Sequence, residues 1–211
     1  NLALSGKGMS YSTSTERGIE LAKDMVNDRG GLLGKPVQLV SVDNHGKPED
    51  AVAAIQQLTV RHVSAIIGPD LADCTRAVIP NVEAVKIPLS SPACTQPDIT
   101  VDAQSHEVYR YIFRAAYIDA SQGRAMADYA LKQLHVKRAA VFYYPDKMYA
   151  QGLAEYFRSA FAASGGDVPV YIPVENVLDL TKYLPLLQRE QVDVIYLPGY
   201  DDWTIPAIEL L

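Results

Sequence analysis

Short apolar runs alternate with helical stretches along the whole of this chain, and that alternation limits its fold more than any other feature. Strand-like runs cover residues 37–42, 65–67, 87–89, 111–114, 138–144, 168–172 and 194–197. Helical patterns cover 15–28, a stretch opening at Pro48, one following GPDLADCT, then 121–134, 148–164 and 181–190, with a last one beginning at Ile205. Strands that alternate with helices predict an α/β fold, with parallel sheets covered by helices on both faces.

Local signals fit that pattern. In helix 15–28, Gly18, Leu21, Ala22, Met25 and Val26 share one face at helical spacing. The RGGLLGKP run after it offers glycines for a left-handed helix end. Pro48 suits a first helical turn, with Val52, Ile55 and Leu58 facing inward. Pro80 predicts a kink or an early end to its helix. In 148–164, Leu153, Tyr156, Phe157, Ala160 and Phe161 form the apolar side. Residues 1–4 read as the tail of a strand behind a Gly- and Ser-rich loop, and the last helix reaches Leu211 without a cap. The fold is therefore expected to be incomplete at both ends. FRAAYIDASQG separates the two runs of alternation, which sets two lobes at 1–116 and 117–211.

Composition removes several function classes. A net charge of −6 and the absence of clustered Lys and Arg argue against a nucleic-acid partner. No run approaches the ~18 apolar residues of a membrane span, so direct membrane insertion is not expected. No basic segment followed by an apolar one marks a signal peptide, which leaves a cytosolic chain or a mature product. Two cysteines, Cys74 and Cys94, are too few for a zinc site, and His45, His62, His106 and His135 are scattered as surface or cap residues. No metal or cofactor is expected.

The candidate site begins at KIPLSSPACTQPD, residues 86–98. A short apolar strand runs there into small and hydroxylic residues, and ligands of open α/β sheets bind outside the carboxyl ends of strands. RGGLLGKP is no phosphate loop: its glycines are too close, Lys35 precedes proline, and the run follows a helix. The GKG run near the start is no better, and neither a G-x-G-x-x-G nor a G-x-S-x-G motif occurs. Cys94 is the one nucleophile in the loop, and no histidine is placed by sequence to activate it. The reading is a binder, not an enzyme.

The ordered series LSGKGMSYSTSTERGIELAKDMVNDRGGLLGKPVQLVSVDN, EDAVAAIQQL, AIIGPDLADCTRAVIP, KIPLSSPACTQPDIT, FRAAYIDASQG, MYAQGLAEYF and VDVIYLPGYD resembles one family over essentially the whole chain. It is similar to the periplasmic substrate-binding proteins of branched-chain amino acid ABC transporters, the leucine/isoleucine/valine-binding type. The resemblance implies a two-lobed type I periplasmic-binding-protein fold. It also implies an extracytoplasmic location, periplasmic or extracellular, with or without a lipid anchor and with the signal peptide removed, and a membrane permease as partner. The lobes would close like a hinged clamp on a small polar ligand, an amino acid in the first instance.

Site residues follow by matching motifs. The resemblance puts the tyrosine of the opening loop at Tyr11, and the loop that holds the α-carboxylate and α-ammonium at Ala93, Cys94 and Thr95. The second-lobe tyrosines fall on Tyr149 and Tyr200. A family serine that binds carboxylate is replaced by Ala72, with its backbone N–H remaining, and Asp70 and Asp73 flank it. Asp73 is expected to cap the next helix. Asp201 or Asp202 stands in for the family's ammonium-binding acid. Cys74 and Cys94 fall at adjacent strand ends, where export permits a disulfide and two small hydrophobic thiols are the other reading. Two alternatives keep the same fold: a sensor ectodomain, and a binder of aromatic or aliphatic carboxylic acids lacking an amine.

Overall fold

A computed structural model describes every residue of the chain except Lys7, so the GKG run lies partly outside the described residues. The polypeptide divides into two compact units, Asn1–Ala116 and Tyr117–Leu211.

In the first unit, three short strands pair in parallel in the order β1 (Ile66–Ile67), β2 (Leu89–Ser91), β3 (Ile112–Arg114). Leu2 makes an isolated parallel bridge to Asp43, and the Asn1 nitrogen donates to the Ile67 carbonyl at 3.2 Å. The first residues therefore lie between 42–44 and β1, and the direction of winding reverses there. The predicted strand at 37–42 does not form a hydrogen-bonded strand. Its ladder reduces to the Leu2 amide on the Val42 carbonyl and the Asn44 amide on the Leu2 carbonyl, because only Leu2 runs alongside it.

Helix α1 spans Met9–Asp28, starting six residues before the expected position, after Gly8 in a left-handed conformation. Gly30, Gly31 and Gly34 adopt the positive φ values expected of them. Helix α2 spans Pro48–Val60 with proline in its first turn, and Ala51, Ala54, Ile55 and Leu58 are buried. Helix α3 spans Ala72–Val85 and continues past Pro80, whose ring lies on the exposed side. Strand residues Ile66, Leu89 and Ile112 are buried together with Val78, Ile79 and Val82 of α3. The opposite face is open. Phe113 is 53% exposed, and the expected inward face of α1 is also outside, with Leu21 62% and Met25 49% exposed. A cavity of about 670 Å³ runs between α1 and residues 35–42, lined by Leu4, Ile19, Leu39 and Ile67.

The second unit carries the better-formed sheet, in the order β5–β4–β6, all parallel, with β4 Arg138–Tyr143, β5 Asp167–Pro173 and β6 Val194–Tyr196. Side chains of a strand alternate between faces. Ala139 and Val141 pack with Ala127, Ala130, Ala154, Phe157 and Phe161. Ala140 and Phe142 pack with Val170, Leu180, Leu187 and Trp203. The central strand is thus buried on both sides, as a parallel sheet requires. Helices α4 (Asp119–Lys132) and α5 (Met148–Ala163) cross closely at Gly123, where an added Cβ would meet Tyr156 Cβ at 2.6 Å and the Phe157 nitrogen at 2.8 Å. The expected helix at 181–190 is a 3-10 segment, Val177–Tyr183, followed by α6 (Leu184–Arg189), because Pro185 in the first turn of α6 suits a helix start. Helix α7 spans Asp201–Leu210, beginning four residues before the expected Ile205.

All four histidines are exposed and have positive φ, between 52° and 59°, so each serves as a turn or cap residue. Leu71, not Asp73, is the N-cap of α3, and Asp73 sits inside the first turn, where its charge still suits the helix dipole.

Two predictions follow from this packing. Gly123→Ala should lower unfolding stability by about 1–3 kcal/mol despite alanine's better helix propensity, because backbone of α5 blocks the methyl; urea denaturation measures it, and a stabilised variant contradicts the close crossing. In the 101–109 loop, the Ser105 and Gln104 amides and the Tyr109 hydroxyl bind the Asp102 carboxylate and hold its pKa down at about 2. A depressed carboxylate pKa contributes stability above its unfolded value, which is lost as pH falls toward 2. An NMR titration of Asp102 should show a midpoint near 2 accompanied by loss of the Gln104 and Ser105 amide positions.

Candidate functional site

The chain places its candidate residues at the carboxyl ends of strands, in two groups, one in each unit. In the first unit, β1 ends at Gly68 and Pro69, joined by a cis peptide bond, and α3 begins three residues after Pro69. Gly68 is fixed by geometry: its φ is 88°, and a Cβ there would sit 2.2 Å from the Asn1 carbonyl oxygen. Strand β2 ends at Ser91 and runs into the loop carrying Ala93, Cys94 and Thr95.

Buried hydroxyls tie these segments together. Ser91 Oγ donates to the Pro69 carbonyl at 2.6 Å and accepts from the Cys94 amide at 3.3 Å. Thr75 Oγ1 lies 3.0 Å from the same Pro69 carbonyl and 2.9 Å from that of Leu71. Arg114, at the end of β3, donates from Nη1 to the Gln96 carbonyl at 2.7 Å and closes the far end of the loop. Ser12, fully buried in α1, donates from Oγ to Asp70 Oδ2 at 3.0 Å and accepts from the Ala3 amide at 3.2 Å. Tyr11 precedes Ser12 in the first turn of α1, not in a loop as expected, because the helix starts early; its ring is exposed.

The sequence-predicted residues of this unit therefore share one edge. Ala72 is buried in the first turn of α3, and its position leaves the early N–H groups of that helix as candidate anion donors. Ala93 is exposed, whereas Cys94 and Thr95 are buried. Cys74 lies in the first turn of α3, not at a strand end, and is buried as well. Sequence reasoning missed Ser12, Thr75 and Ser91. Only Ser91 carried a signal, as a hydroxyl at the end of an apolar strand. Burial pushes the Asp70 carboxyl above the ordinary carboxylate range, against the opposing pull of the Ser12 and Thr15 hydroxyls.

In the second unit, Tyr149 is the second residue of α5, just after β4, and Tyr200 is the N-cap of α7, just after β6. Strand β4 connects to β5 on one side and pairs with β6 on the other, so these two strand ends flank a topological switch point. The two rings stack there, with centroids 5.1 Å apart and planes at 28°. Gln122 of α4 donates from Nε2 to the Tyr149 hydroxyl at 3.2 Å. Beneath them, Tyr196 stacks on Phe157 at 4.2 Å, and burial, with the charges of Tyr149 and Asp119, pushes its phenol up. Asp201 and Asp202 open α7, where their charge suits the helix start. Gln122 was also missed: a lone amide in a helical pattern has no sequence signal.

What this arrangement offers chemically is recognition: helix-start N–H groups and a hydroxyl in one unit, an aromatic pair with hydroxyls in the other. No group of three metal-ligating side chains occurs among the described residues, and no described helix is long and apolar enough to cross a membrane.

Residues 2–209 match the family described as periplasmic binding protein. A Leu/Ile/Val-binding protein homologue from Brucella melitensis is 27% identical over 199 residues, covering 93% of this chain and 52% of the relative. A solved leucine-binding protein from Thermotoga maritima is 30% identical with a TM-score of 0.82, over 99% of this chain and 56% of that one. The branched-chain amino acid transporter substrate-binding protein of Streptococcus pneumoniae, solved with isoleucine, is 28% identical, also with a TM-score of 0.82, over 95% of this chain and 56% of that one. The chain spans about half the length of the curated relatives it matches. Ser91→Ala should cost about 1–3 kcal/mol, since it removes a buried donor to the Pro69 carbonyl and an acceptor of the Cys94 amide; a urea midpoint unchanged from wild type contradicts its anchoring role.

Proposed function

Because the chain belongs to the periplasmic binding protein family, we propose that it acts as an extracytoplasmic solute-binding protein that captures a branched-chain amino acid, or a close relative of one, for the membrane permease of an ABC transporter. The observation that carries this reading is the stacked Tyr149–Tyr200 pair at the β4/β6 switch point. Stacked tyrosines give a dry apolar wall with polar tips, which suits a ligand that is aliphatic at one end and charged at the other. The names of its relatives favour the same ligand class.

In this scheme the first unit holds the charged end. Thr95 gives its hydroxyl, the Ala93–Cys94–Thr95 backbone gives N–H groups, and Ala72 gives a helix-start N–H helped by the dipole of α3. Tyr11 adds an exposed ring from the first turn of α1. The second unit supplies Tyr149 and Tyr200, with Asp201 as the acid nearest the tyrosine pair in sequence. Charge-assisted hydrogen bonds contribute about 1.5–3 kcal/mol each and neutral ones about 1. Three or four of them do not by themselves offset the cost of immobilising the ligand and reach the roughly −8 kcal/mol of micromolar binding, so burial of its apolar end supplies the remainder. Nothing in this scheme makes or breaks a covalent bond.

The test is calorimetric titration of the chain with leucine, isoleucine and valine, beside Thr95→Ala and Tyr200→Ala. Wild type is expected to bind at least one of the three, with each substitution weakening it about tenfold or more. Wild-type affinity in both variants, or no binding of any of the three, counts against the assignment.

A further inference from the structure

We propose that Gln122 is a positioning residue for solute binding: its amide fixes the Tyr149 hydroxyl, and with it the stacked tyrosine pair, before a ligand arrives. This deepens the function proposed above and rests on it.

Two contacts hold the Tyr149 side chain, and they differ in how sharply they define its place. The stack on Tyr200 has centroids 5.1 Å apart and planes at 28°. Aromatic pairs are favourable over centroid separations of roughly 4.5–7 Å, so that contact alone leaves the ring free to slide and rock. The contact with Gln122 is narrower. Its Nε2 donates to the Tyr149 hydroxyl at 3.2 Å, and the same hydroxyl lies 3.5 Å from its Oε1. A hydrogen bond fades beyond about 3.5 Å, so the amide marks one position for the far end of the ring.

Packing places Gln122 in turn. It is half-buried and precedes Gly123, where a Cβ would meet Tyr156 Cβ at 2.6 Å and the Phe157 nitrogen at 2.8 Å. That crossing sets the position of α4 against α5, and Tyr149 is the second residue of α5. The amide therefore reaches the hydroxyl from a backbone whose place is already fixed. A binding group held in one geometry beforehand spares the cost of ordering it when the ligand binds. A neutral hydrogen bond that does this changes affinity about three- to tenfold.

The experiment is a double-mutant cycle of Gln122→Met and Tyr149→Phe, titrated calorimetrically with leucine, isoleucine and valine beside wild type. NMR of the Tyr149 ring in the unliganded wild type and Gln122→Met accompanies it. Methionine matches glutamine in length and helix propensity, so the fold is retained, which urea denaturation checks. If that variant does not fold, Gln122→Asn, whose amide is one methylene short of the hydroxyl, carries the same comparison. Gln122→Met should weaken binding about three- to tenfold and shift the ring resonances of Tyr149. In the Tyr149→Phe background, where the hydroxyl is gone, it should cost nothing further. Losses that add in the double variant, unshifted ring resonances, or wild-type affinity in Gln122→Met overturn this inference alone. Failure of wild type to bind any of the three amino acids overturns the amino-acid assignment and this inference with it.

Discussion

The first unit depends on the Pro69 carbonyl and the hydroxyls gathered around it. Ser91 reaches it from the end of β2 and Thr75 from the second turn of α3. A buried carbonyl left without partners costs about 1–3 kcal/mol, so these hydroxyls do more than decorate the loop. They fix the distance between the strand ends, and with it the relation between the start of α3 and the Ala93–Thr95 loop. Ser12 and Asp70 extend the same logic to α1. Such networks hold geometry because each member, once buried, is expensive to leave unmet.

The second unit reaches a similar arrangement by packing. Its central strand is buried on both faces, and aromatic contact carries the order outward from Phe157 through Tyr196. Tyr149 and Tyr200 stack at the strand ends nearby. One edge is organised by hydroxyls and helix-start amides, the other by rings. The open sheet face of the first unit is the counterpoint: Ile67, Phe113, Leu21 and Met25 face outward, although parallel sheets are ordinarily covered on both sides.

Much of the fold was legible in the sequence. The periodic apolar pattern located α5 almost to the residue and marked β4, β5 and β6. The pattern failed where its assumption failed. Residues 37–42 have the apolar spacing of a strand, yet hydrogen-bonded pairing needs a neighbour of matching length, and only Leu2 supplies one. The face formed by Gly18, Leu21 and Met25 is amphipathic by spacing, but burial depends on what lies opposite. Helix starts were missed by several residues at α1 and α7.

By itself, the sequence determined the order of strands and helices and the positions of the small and aromatic residues at strand ends, because these follow from local periodicity and from what each side chain can do. Only the tertiary structure decided that Tyr149 and Tyr200 stack, that Gln122 reaches the Tyr149 hydroxyl, and that Ser12 binds Asp70. Those pairs are separated by 27 to 58 positions along the chain or join different elements, and a hydrogen bond or ring contact depends on ångström-scale placement that no spacing rule encodes. Burial of the Asp70 carboxyl belongs to the same class. A carboxylate is polar in any sequence, and only the packing around it determines whether water can reach it.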